Sequence, residues 1–113
     1  MPIVYKICSA EEWREAEQSG AYAGSAADLG DGFIHLSAAH QVRETARRHF
    51  RDLDGLVLVA LDAARLGPSL RWEASRGGDR FPHLYTSIKT GEARSVVPLP
   101  WNGSAHEFPD GVA

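Results

Sequence analysis

Hydrophobic residues change their spacing several times along the 113-residue chain, and each change marks an element. From Pro2 to Cys8, β-branched and aromatic residues alternate with others over a short stretch, which predicts a strand. Ser9 followed by Glu12 is a capping-box pattern, in which the hydroxyl and the carboxylate each satisfy a backbone N–H at a helix start. The helix is expected from Ala10 to Ser19 and ends at Gly20. Trp13 and Ala16 share its core side, while Glu11, Glu12, Arg14, Glu15 and Glu17 serve the wet side.

Between Ala21 and Gly32 the chain turns to Ala, Gly, Ser and Asp, and the triplet Gly30-Asp31-Gly32 predicts a loop. Phe33 to Ser37 then alternates, which places Phe33, His35 and Ser37 on one strand face. Ser37 also suits the cap of a helix from about Ala39, where Val42, Ala46 and Phe50 recur at a spacing of four. The run Leu56–Leu61 is apolar throughout and bounded by Asp54-Gly55 and Asp62, the mark of a strand buried on both faces. Asp62 to Gly67 reads as one capped helical turn, and Ser69 to Glu73 as a strand. After the polar loop Ser75–Arg80, Pro82 disfavours the α region for Phe81 and leads into an extended His83-Leu84-Tyr85. Ala93 to Leu99 is the last strand, and the segment from Asn102 is expected on the surface. Together these predict an α+β fold: one domain with its core at about residues 3–99, small mostly antiparallel sheets, two main helices and a tail at 102–113.

Composition narrows the picture. Apolar residues at 43% and charged residues at 24% are ordinary for a globular chain, and the net charge of −3 gives no overall field that would draw in nucleic acid or an anionic membrane. The basic stretch Arg43–Arg51 sits in a helix that also carries Glu44, and reads as a solvated face. A single cysteine, Cys8, excludes an internal disulfide and fits a reducing compartment; it lies in an apolar run with no base beside it. With no signal-peptide pattern and no apolar run of membrane-spanning length, a cytoplasmic monomer or weak dimer is expected.

His35 stands at a strand-to-helix junction with Asp31-Gly32 before it and Ser37 after it, where exposed N–H groups and a hydroxyl can hold an anionic or sugar-like ligand. His83 and Tyr85 project from one face of an extended segment, whether as ligand contacts or as a hydrogen-bonded buried pair. Trp72 and Glu73 adjoin in a strand, so only one of them faces any shared pocket. The Arg76-Gly77-Gly78 turn offers N–H groups and a guanidinium to a phosphate, though it matches no standard phosphate loop. The five histidines form neither H-x-x-x-H nor H-E-x-x-H and no cysteine pair exists, so no metal site is expected. Nor is there a G-x-S-x-G hydrolase elbow.

The segments Asp31-Gly-Phe-Ile-His-Leu-Ser37, Leu70-Arg-Trp-Glu73 and Phe81-Pro-His-Leu-Tyr85, in that order, give a sequence that resembles the bacterial family known as domain of unknown function 952. The resemblance runs from Ile3 to about Leu99. It implies a fold of the ADP-ribosyltransferase and RNA 2′-phosphotransferase group, two small sheets around a cleft. There a strand histidine followed two residues later by Ser or Thr touches the ribose and nicotinamide of NAD, and His35 and Ser37 look like that pair. Together with the reading of the residues themselves, this predicts a nucleotide- or ribose-binding cleft with His35 and His83 as catalytic candidates and Ser37, Trp72, Glu73, Arg76 and Tyr85 as ligand contacts. Its enzymatic form is a transferase acting on NAD or a phosphorylated ribose; its rival is a non-catalytic module for a small metabolite or partner. The late glutamate that mono-ADP-ribosyltransferases use has only Glu92 and Glu107 as counterparts, and neither lies in a recognisable motif.

Overall fold

A computed structural model describes residues 2–112. Its elements are β1 (Ile3–Ser9), α1 (Ala10–Ser19), β2 (Ala21–Tyr22), α2 (Ala26–Asp31), β3 (Ile34–His35), β4 (Ser37–Ala38), α3 (Val42–His49), β5 (Leu56–Asp62), α4 (Ala63–Leu66), β6 (Leu70–Ala74), β7 (Arg80–Leu84), β8 (Ile88–Lys89) and β9 (Ser95–Leu99). They make an α+β fold of small sheets, in order β4-β1-β5-β9, β3-β7-β6 and β2-β8, with every strand pairing antiparallel.

The four-stranded sheet divides the core in two. On one face Val4 and Cys8 of β1 and Val59 and Leu61 of β5 pack with Trp13, Ile34, Leu36 and Leu84. On the other, Tyr5, Ile7, Leu58 and Ala60 pack with Val42, Ala46 and Leu99. The run from Leu56 is therefore covered on both sides, as its uniform apolarity predicts. Cys8 belongs to this packing, and burial pushes its thiol up to about 12, which removes it as a nucleophile at neutral pH.

The first helix begins as its sequence predicts: Ser9 Oγ accepts from the Glu12 N–H at 3.0 Å and the Glu12 carboxylate answers the Ser9 N–H. Two local expectations are corrected. The Ala21–Gly32 stretch is not all loop, because Ser25 and Asp28 form a second capping box that starts α2, and Gly32 closes it in the left-handed region at φ 86°. And Ser37 does not cap α3, which starts at Val42 after Gln41, a residue whose side chain instead joins Ala38, Asp79 and Arg80. The tail also does more than lie on the surface, since Phe108 and Val112 pack against the second half of the core. Among the described residues no helix is long and apolar enough to cross a membrane.

Candidate functional site

Asp28 organises one half of the site from inside. Only 2% exposed, its carboxylate accepts four hydrogen bonds: Oδ2 from Lys6 Nζ at 2.8 Å and the Ser25 N–H at 2.9 Å, Oδ1 from the His35 N–H at 3.1 Å and His35 Nδ1 at 2.6 Å. Burial would push this carboxyl up, but the Lys6 ammonium together with the hydrogen bonds from Lys6, His35 and Ser25 outweighs it and holds Asp28 below the ordinary carboxylate range. An ionised Asp28 only accepts, so His35 carries a proton on Nδ1. The other ring nitrogen, Nε2, then faces outward to Asp31 Oδ2 at 3.0 Å, where the His35 side chain is 40% and the Asp31 side chain 60% exposed. Lys6 is itself buried and donates to the His35 carbonyl at 3.2 Å as well.

The other half comes from the three-stranded sheet. Register places His35 opposite His83 and His83 opposite Arg71, so the three side chains form one row across β3, β7 and β6. The imidazole centroids of His35 and His83 lie 5.9 Å apart, edge to face. Phe33 stacks on His83 at 4.0 Å and 14° and touches the Tyr85 ring at 5.4 Å. Glu73 Oε1 accepts from Tyr85 Oη at 2.6 Å and from His83 Nδ1 at 3.0 Å. These bonds, the Tyr85 hydroxyl first and then His83, hold the Glu73 carboxyl low; the same bond raises the Tyr85 phenol. Arg71 lies over the Tyr85 ring, its guanidinium carbon 5.4 Å from the centroid.

In both cases a carboxylate grips Nδ1 of the imidazole; Nε2 of His35 then meets a second carboxylate, Asp31. Nε2 of His83 has no hydrogen-bond partner among the described residues. Such a pair can donate to or accept from adjacent hydroxyls, or move a proton between a bound group and the ring.

His35, His83, Glu73 and Tyr85 are thus brought together. Ser37 is not: the chain leaves the three-stranded sheet at Leu36 and enters the four-stranded one, where Ser37 pairs with Tyr5 and its buried hydroxyl meets Thr45 Oγ1 at 2.8 Å. Strict alternation fails there because two strands of different sheets share one apolar run. Trp72 pairs with Pro82 and so turns to the face opposite Glu73, 38% exposed at the edge of the sheet. Arg76 contributes backbone to a 3₁₀ turn, and its side chain lies outside the described residues. Sequence reasoning missed Lys6 and Asp28. Both left a signal: Ser25-x-x-Asp28 is a capping box, and Lys6 sits on the same face of β1 as Val4 and Cys8.

Comparison with known proteins finds no match among curated ones. The crystal structure of protein CC0527 from Caulobacter crescentus is similar, with 47% identity over 93% of each chain and a TM-score of 0.90. The solution NMR structure of CC0527 matches with 48% identity over 92% of this chain and 90% of that one, at a TM-score of 0.83. The model of the family described as protein of unknown function (DUF952) matches residues 7–96, which span all three motif segments, and the chain belongs to that family.

Proposed function

We propose that the face carrying His35 and His83 binds a ribose-bearing ligand, a nucleotide or a phosphorylated ribose, and that a group-transfer reaction of the ADP-ribosyltransferase or 2′-phosphotransferase kind is its enzymatic form. The observation that carries this reading is the pair of imidazoles in register, 5.9 Å between centroids, each held through Nδ1 by a carboxylate. Adjacent ribose hydroxyls need two such acceptors or donors side by side. Phe33 and Tyr85 supply ring surface beside them, and the Arg71 guanidinium, with no carboxylate within ion-pair distance among the described residues, suits a phosphate. The glutamate beside this row is Glu73, whereas Glu107 is held in the tail by Asn102.

Titration calorimetry with NAD, ADP-ribose and AMP tests the proposal. Wild type is expected to bind at least one of them, and His35→Ala to weaken that binding about tenfold or more while keeping its folded spectrum. Absence of heat from all three in wild type would remove the reading. A non-catalytic module is favoured by one observation: two cavities of about 280 and 250 Å³ are lined by residues outside the row. That alternative predicts binding without turnover when bound NAD is followed by chromatography.

A further inference from the structure

A second feature lies on the opposite side of the four-stranded sheet. There a cavity of about 250 Å³ opens between the sheet and residues 109–112 of the tail. Its floor follows from register: Tyr5, Ala60 and Ser95 stand in one row across β1, β5 and β9, with Leu58 and Val97 in the next row on the same face. Ala60 is the reason a cavity exists at all. A methyl group between Tyr5 and Ser95 leaves a dip in the sheet that a larger residue would fill. The tail that roofs it is held at both ends, by the Arg43 guanidinium 4.7 Å over the Phe108 ring and by a 2.9 Å hydrogen bond from Arg43 to the Val112 carbonyl.

Tyr5 supplies the second observation. Its ring lines the cavity and the residue is only 8% exposed, yet its hydroxyl has no hydrogen-bond partner among the described residues. The hydroxyl is not among the polar atoms sealed away without a partner, so it keeps solvent access and is available to a ligand that fills the space. A wholly apolar cavity of roughly 150 Å³ takes one benzene ring. At about 250 Å³, the present one has room for a single substituted ring, and Tyr5 and Ser95 bring hydroxyl-bearing side chains to its lining. Asp110 in the roof disfavours an anion.

We infer that this cavity is a binding site for a small uncharged aromatic or heteroaromatic molecule bearing one hydrogen-bonding group, bordered by the C-terminal tail. The site is separate from the histidine row and does not rest on what binds there.

Phenol, toluene and benzoate are the probes, followed by backbone amide NMR of the full chain. Phenol is expected to bind in the millimolar range or better and to shift the amides of Tyr5, Ala60, Val97 and Val112, with benzoate weaker. Tyr5→Phe, which keeps the shape and removes the hydroxyl, is expected to weaken phenol about fivefold or more and to leave toluene unchanged. Ala60→Val, which fills the dip, is expected to abolish both while the amides of the histidine row stay in place. Phenol shifts confined to other surfaces, no shifts at millimolar phenol, or equal phenol affinity in wild type and Tyr5→Phe would each overturn the assignment.

Discussion

Four donors converge on the two oxygens of Asp28, so this residue holds Lys6, the start of α2 and His35 at once. Removing one partner of a buried ion pair leaves the other uncompensated, which typically costs about 3–5 kcal/mol. Asp28→Asn is expected to fall in that range by urea unfolding, and the double variant Lys6→Met/Asp28→Asn to recover part of the loss. The pH dependence follows from the depressed Asp28 carboxyl. Its ionised form stabilises the fold above the unfolded value of about 3.9, and that stabilisation is lost as pH falls through and below it. Wild type should therefore lose stability toward acid more steeply than Asp28→Asn. Asp54, Glu73 and Asp79 are also held low, Asp79 chiefly by the hydrogen bond from the Gln41 side chain, so some slope is expected to remain in the variant.

At the scale of elements, α2 shows how a short helix positions a site. It is six residues long, too short to persist by itself, and it is fixed by its caps and by Asp28. Gly24, just before it, has φ +118°, and a Cβ there would stand 2.8 Å from the Asp28 Cβ. Gly32, just after it, has φ +86° with open space around it. Gly32→Ala is therefore expected to cost about 1–2 kcal/mol from the left-handed conformation alone. Gly24→Ala must also displace Asp28, so a larger loss of stability is expected in thermal melts, together with a shifted His35 ring signal in NMR. Neither glycine's role was legible in the sequence, where a stretch rich in Gly, Ser and Asp reads as loop. Legibility was high where one local rule decides the outcome: the Ser9/Glu12 capping box, the apolar run from Leu56 and the Gly20 stop all appear where the pattern puts them. It failed at Leu36, because which sheet each half of Phe33–Ser37 joins depends on partners far along the chain, Pro82 for Leu36 and Tyr5 for Ser37. In the site, His35, His83, Glu73 and Tyr85 were legible as chemistry-bearing residues in extended segments. The carboxylate that orients His35 was not, because its contacts run from a helix to a strand and to Lys6 on another sheet.

For the whole molecule, the decisive fact is that both halves of the core share β1 and β5. Neither face of the sheet can lose its packing without disturbing the strands that support the other. Leu58→Ala on the tail side and Leu61→Ala on the site side are each expected to cost about 2–5 kcal/mol. Each should also lower the unfolding midpoint read at His35 and at the tail by the same amount. Separate midpoints for the two faces would show that they unfold independently.

Lys6 follows Tyr5 on β1, and the two side chains leave opposite faces of the strand, one toward Asp28 and the other toward the tail. A slip of β1 by one residue would exchange them, driving an ammonium into the apolar space beside Leu58 and leaving the Asp28 carboxylate against a phenol. The ion pair thus penalises misalignment heavily even where it adds little net stability to the correct pairing. An inward lysine in the first strand acts as a key that fits one alignment of the sheet.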